Sequence, residues 1–309
     1  MSDVIKRLNR AAGMLGELTP ILLARVGAYT VVGLITCVYW LVVAGLCLVL
    51  GKFVPAIGWI VFVIALAGNY GLLRLGRDYL LYMVRAGFIA VLTEIIVRGR
   101  ITGSENQLTF ARDAVKTRFV ETSALAGLDH LVHGVIQAYN ATIEGIASWI
   151  PIPGLDKLVA LINVVISHAA SMVDEAILAL SFARKDEDIW KVAQDGLILY
   201  AQNYQPILMI SAACVLIDWT CMGLTFLMAL VVIGIPMKVI APASVTFLGL
   251  LFPVIITYVV RVGVVQPFLV TAVILTFLDC TKDSKIDEKT APMLSQVSPA
   301  FKEIVSKIG

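Results

Sequence analysis

Long apolar runs alternate with short charged segments along this chain. Residues 26–50, 56–73, 206–235 and 241–260 are predominantly apolar, each near or beyond the roughly 20 residues a helix needs to cross about 30 Å of hydrocarbon. That pattern predicts four spanning helices. Two further stretches, 120–150 and 155–180, have spanning length but contain ionisable residues, so they predict helices facing a bundle interior rather than lipid. If this central pair crosses, there are six spans. If it lies on the membrane surface as a hairpin, there are four.

Three connections on the same side are short and carry proline and glycine: Gly51-Lys52-Phe53-Val54-Pro55, Ile150-Pro151-Ile152-Pro153-Gly154 and Gly234-Ile235-Pro236-Met237-Lys238. These residues end helices and favour tight turns, so each reads as a hairpin tip. An apolar helix follows each tip and runs into a more amphipathic stretch. Those stretches are alike: Ala90-Val91-Leu92-Thr93, Ala176-Ile177-Leu178-Ala179 and Ala272-Val273-Ile274-Leu275. A charged turn and a second polar helix come next, carrying Ala111-Arg112-Asp113 and Ala193-Gln194-Asp195 in the first two units. One hairpin unit repeated three times about a pseudo-threefold axis accounts for this order, and chance likeness among hydrophobic hairpins is the competing account.

The expected fold is therefore an all-α integral membrane protein, with six transmembrane helices as three similar hairpins and amphipathic helices on the cytoplasmic side. Its expected parts are an N-terminal amphipathic interfacial segment (1–25), a first hairpin unit with cytoplasmic helices (26–119) and a polar middle hairpin with its cytoplasmic helix (120–204). A third hairpin unit (205–282) and a cytoplasmic C-terminal tail (283–309) complete it. Ile5, Leu8, Ala12, Leu15 and Leu18 recur at helical spacing beside Lys6, Arg7 and Arg10, which suits a helix lying on anionic lipid. Ile189, Trp190, Val192, Ala193, Gly196, Leu197 and Tyr200 form a second apolar face, with Asp186 and Glu187 near its start, where the helix dipole favours acids. That helix reads as a surface platform for lipid or a partner.

Composition sharpens the class. The 309 residues are 59% hydrophobic and only 15% charged, whereas soluble domains run near 25% charged. Of the 24 Lys and Arg, 21 fall on one side of the six-span arrangement and only Lys52, Lys157 and Lys238 on the other. The positive-inside rule then puts both termini in the cytoplasm, in a multi-pass protein of the plasma (cytoplasmic) membrane. The four-span arrangement gives the same orientation. Basic residues flank spans instead of forming one surface, so no nucleic-acid partner is expected. The first 25 residues lack the compact apolar core and cleavage site of a signal peptide. The five cysteines show neither a disulfide framework nor metal-ligand spacing.

Candidate chemistry concentrates in the middle hairpin, which holds all three histidines. Asp129 and His133 are four residues apart on one helix face, His130 stands beside them, and His168 lies on the return helix. Counted from a tip near Ile152, His133 and His168 sit at similar depth, roughly 24–28 Å below the turn. Such a ladder suits a proton or ion path, since histidine titrates near neutral pH. It equally suits hydrogen-bonded packing between helices. Zinc is a third chemistry, although His-Glu-x-x-His spacing is missing and no metal is expected. Asp218 stands alone in an apolar span beside Trp219. A buried carboxylate there needs a partner, and Arg261 and the middle hairpin are the candidates. There is no Gly-x-Ser-x-Gly and no phosphate-cradling glycine loop, so neither an enzyme nor a cofactor is expected.

The segment Ala193-Gln194-Asp195-Gly196-Leu197-Ile198-Leu199-Tyr200-Ala201-Gln202-Asn203, followed by a span with Asp218 and Gly223, resembles the C-terminal part of choline-transporter-like proteins. In that family a comparable helix, with Asn eight residues after the acid or amide, precedes two spans. The last of them runs into an acidic cytoplasmic tail, as Phe277-Leu278-Asp279 through Asp287 does here. The likeness is confined to the C-terminal third, and the family's large extracellular loop is missing. It implies a membrane transporter for choline-like solutes, or a relative that has lost that role, and assigns no substrate-binding residue.

Two functional classes follow. The first is a transporter of a small solute or ion, using Asp218 and the polar group His133, His168, Asp129 and His130. The second is a non-transporting homo-oligomeric scaffold in the bilayer that recruits partners through its cytoplasmic helices.

Overall fold

The computed structural model describes residues 2–53, 55–68, 71, 74–101, 106–117, 131–132, 134–138, 141, 172–240, 248–287 and 289–308. Among them the chain is helical, with no strand. Helix α1 covers Ser2–Glu17 and breaks at Leu18 before α2, Thr19–Phe53. Next come α3 (Pro55–Gly68), α4 (Arg74–Arg98) and α5 (Gln107–Thr117). Helical residues 131–132, 134–138 and 141 form α6, and 172–183 form α7. After α8 (Ile189–Gln202), α9 (Tyr204–Ala229) runs through a π-helical turn, Leu230–Gly234, into α10 (Ile235–Ile240). Helix α11 (Leu248–Val260) passes through a second π turn, Arg261–Val265, into α12 (Gln266–Thr281). Helices α13 (Thr290–Val297) and α14 (Pro299–Ser306) close the chain.

Among the described residues, four helical runs are long and apolar enough to cross a membrane: Thr19–Lys52, Tyr79–Arg98, Tyr204–Met237 and Phe252–Thr281. The expected spans 26–50 and 206–235 fall within the first and third. The expected span 56–73 contains α3, which at 14 residues is a shorter apolar helix. Tyr79–Arg98, read from sequence as leaving the apolar zone, has spanning length and composition, but more than half of it is buried against protein. Its apolar residues serve a core. Most of 120–150 and 155–180 lies outside the described residues, so the middle hairpin and the threefold repeat do too.

Helices α2 and α3 form an antiparallel hairpin. The Tyr39 hydroxyl donates to the Ala65 carbonyl at 2.7 Å. Near the tip the backbones touch: a Cβ on Gly58 would stand 3.2 Å from the Gly51 Cα and 3.1 Å from the Cys47 carbonyl oxygen. Small residues allow such an approach where lipid supplies no hydrophobic drive for packing. A second hairpin joins α9 to α11. Large apolar side chains stay exposed along both, from Val31 to Val49 and Ile57 to Leu66 in the first, and from Leu216 to Ile235 and Phe252 to Val264 in the second.

The main core lies at the opposite ends of these helices. It joins Phe88, Ile89 and Leu92 of α4, Val173 and Ile177 of α7, Leu197 and Tyr200 of α8, Ile274 and Phe277 of α12, and Phe301 of α14. The sequence boundary at residue 25 falls inside α2, because Thr19–Phe53 is one continuous helix. The apolar stripe of α1 meets protein: Ala11, Val4 and Leu8 pack with α9 and α12, and Arg10 pairs with Asp279 at 2.9 Å. The stretch 283–309 carries the short helices α13 and α14. Ser298 caps α14 by accepting the Phe301 N–H, Pro299 opens the helix, and Phe301 and Ile304 are buried. Lys307 lies 4.6 Å from the Trp190 ring centre on α8. Helix α8 is capped by Asp188, whose carboxylate accepts the Trp190 and Lys191 N–H groups.

Candidate functional site

Asp218 sits midway along α9 and is only 2% exposed. An isolated carboxylate there would lose hydration worth several kcal/mol. Arg261, at the head of the second π turn, supplies the compensation. Its Nε donates to both carboxylate oxygens at 3.1 and 3.2 Å, and its Nη2 donates to Oδ2 at 2.9 Å. The two-pronged geometry is the strong form of a charge-assisted bond. The π turn also brings α2 close, for a Cβ on Gly263 would meet the Val26 Cγ2 at 2.9 Å. Only glycine admits that contact without a shift.

Behind the pair lies a cavity of about 130 Å³ lined by Met172, Glu175, Asp218, Arg261, Gln266, Leu269 and Val270. Glu175, on α7, is 3% exposed and accepts from Arg85 Nη1 at 3.2 Å. Arg85 and Glu175 act electrostatically on Arg25, which is 0% exposed. The Arg25 guanidinium carbon lies 5.2 Å from the Phe88 ring centre and 5.7 Å from that of Tyr29. Among the described residues none of its three side-chain nitrogens makes a close hydrogen bond, and Tyr29 and Glu175 favour the cation only from longer range. A desolvated cation–π contact is worth about 2 kcal/mol, less than the several kcal/mol that burial removes. Among the described residues the cluster gathers the guanidinium groups of Arg25, Arg85 and Arg261 and the carboxylates of Asp218 and Glu175, with Arg25 the most deeply buried of the cations.

A separate group of ion pairs ties the helices together away from this cavity. Buried Glu94 of α4 pairs with Arg98 and with Lys185, the latter at 3.1 Å. Asp195 of α8 accepts from Arg184 at 3.0 Å. Burial pushes the Asp195 carboxyl above its ordinary range, and the Arg184 charge offsets only part of that.

Of the residues singled out from sequence, Asp218 is placed beside Arg261 and across the cavity from Glu175. Asp129, His130, His133 and His168 lie outside the described residues. Among those described, no group of three His, Cys, Asp or Glu converges as a metal site would require. Sequence reasoning used Arg25 and Arg85 only as topology markers, and placed Glu175 at the cytoplasmic end of the polar middle hairpin without singling it out as a site residue. The available signal was their position: ionisable side chains within a turn or two of apolar runs must be lipid-facing, paired or functional.

Comparison with protein-family models, with curated proteins and with solved structures yields no match in any of the three.

Proposed function

We propose that the chain is a multi-pass membrane protein with both ends in the cytoplasm, and that it moves a small solute or ion through the cavity between Asp218, Arg261, Glu175 and Gln266. The cavity carries this reading, because it gathers ionisable groups from α7, α9 and the second π turn at the foot of apolar helices. The depth of the pair supports membrane placement. Asp218 lies twenty residues from Lys238, and a helix of that length rises about 30 Å, the thickness of the hydrocarbon. Trp219 and Tyr258, next to the pair on each helix, are exposed, as aromatic residues are at a membrane–water boundary. On this placement the main core stands on the cytoplasmic side. The Arg10–Asp279 contact keeps the N-terminal helix beside the end of α12, in accord with termini on one side.

The deeply buried guanidinium group of Arg25 favours an anionic solute. The resemblance to choline-transporter-like proteins makes choline the organic cation to set against it. Uptake of small anions, choline, metal cations and protons into vesicles holding the purified chain tests the proposal. A scaffold is the second reading, favoured by one observation: Asp218 is fully engaged by Arg261, as in a structural latch.

A further inference from the structure

A second cavity opens on the outer face of the α9–α11 hairpin. It measures about 380 Å³, within the roughly 300–1,000 Å³ range of small-molecule sites. Met222, Gly223, Phe226, Val254 and Tyr258 form its apolar walls, and Arg261 forms its floor. Gly223 leaves the α9 wall open, since a Cβ there would meet nothing within 4 Å. The wall residues stand one to two turns nearer the hairpin tip than Asp218 and Arg261. The groove therefore rises from the level of the ion pair into the apolar zone.

We infer that this groove holds one acyl chain of a phospholipid whose phosphate rests on Arg261. The inference depends on the membrane placement above, and not on transport. Three observations fix the occupant. First, the walls are apolar and exposed at a depth where only hydrocarbon is available to fill them, and an unfilled groove would forfeit its dispersion contacts. Second, Arg261 gives Nε and Nη2 to Asp218 and leaves Nη1 without a hydrogen-bond partner among the described residues, with 40% of the side chain exposed. A guanidinium group with a free edge recognises a phosphate oxygen, and a lipid lacking phosphate would leave that donor unmatched. Third, Trp219 beside the pair and Tyr258 about one turn nearer the tip are both exposed, as aromatic side chains are near the level of lipid headgroups.

Native mass spectrometry of the protein released from micelles containing equal amounts of phosphatidylglycerol and diacylglycerol tests this. The wild type should retain the phospholipid over diacylglycerol by roughly tenfold, about 1.4 kcal/mol. Gly223→Phe fills the groove from a position with open space around it. It should cut retained phospholipid by a similar factor while leaving the melting temperature near that of the wild type. Equal retention of the two lipids by the wild type would overturn the inference without any variant. So would undiminished phospholipid on a folded Gly223→Phe protein. Carbonate extraction of the cell membranes in which each protein is expressed separates the two levels: both proteins should stay in the pellet, and release of the wild type would overturn the membrane placement and the lipid site with it.

Discussion

Asp218 and Arg261, 43 residues apart in sequence, close the α9–α11 hairpin at its foot through three hydrogen bonds of 2.9–3.2 Å. The two ends of this bond differ in environment. The carboxylate is enclosed, whereas the guanidinium group keeps 40% of its side chain exposed. Breaking a fully buried pair costs about 3–5 kcal/mol. Because Arg261 can still reach solvent or headgroups, Asp218→Asn should cost less, roughly 2 kcal/mol. Arg261→Gln leaves the enclosed carboxylate bare and should cost more. The double variant should recover part of the loss. Thermal melts of the four proteins in detergent read this cycle, and additive single-variant costs would deny the coupling.

Arg25 makes the opposite prediction. A fully buried guanidinium group with no close hydrogen bond among the described residues weakens the fold unless something else pairs with it. Replacing buried charge by an apolar side chain of similar length is often stabilising, by about 1–4 kcal/mol. Arg25→Met should therefore raise the melting temperature in buffer without small anions. Any stabilisation of the wild type by added small anions should vanish in the variant. A lower melting temperature under both conditions would show that Arg25 is already compensated.

Asp195 gives the chain a pH signature outside the apolar helices. Its carboxyl titrates above the ordinary value because burial disfavours the anion. The folded state thus holds that proton longer than the unfolded chain. Its contribution to stability is complete below the ordinary carboxyl range, near pH 4, and is lost as pH rises through the folded value. Asp195→Asn removes this titration. The variant should gain on the wild type as pH climbs from about 4 toward neutrality, measured as the difference in melting temperature. A difference that stays flat would mean that Arg184 offsets the burial completely.

What the sequence showed and what it hid follow from how each part is buried. Helices α2, α3 and α9 are apolar nearly all round, so their runs are legible without any knowledge of partners. The main core is different: Phe88, Ile177, Leu197 and Phe277 are buried by one another, and a sequence does not state which amphipathic stretches will meet. The apolar stripe of α1 was legible, but not that α12 would cover it. The start of α14 carried its own signal in Ser298-Pro299, a cap followed by a first-turn proline, and reading 283–309 as a tail passed over it. The π turn at Arg261–Val265 leaves no comparable mark, yet it brings α2 against Gly263 beside the site. Arg261 itself was legible as a partner for Asp218, because a carboxylate in an apolar helix demands one.

The transport claim is tested most directly by flux in proteoliposomes, read for the wild type, Asp218→Asn and Glu175→Gln at equal amounts of folded protein. Both substitutions keep side-chain size and hydrogen bonding while removing charge from the cavity wall. The wild type should accumulate at least one solute from a panel of small anions, choline, metal cations and protons, with small anions first. Flux should fall by roughly tenfold or more in each variant, the scale set by removing about 1.4 kcal/mol of charge-dependent binding. A wild type that moves nothing on the panel, with Asp218→Asn losing only stability, would contradict the account and leave the ion pair as a latch in a membrane scaffold.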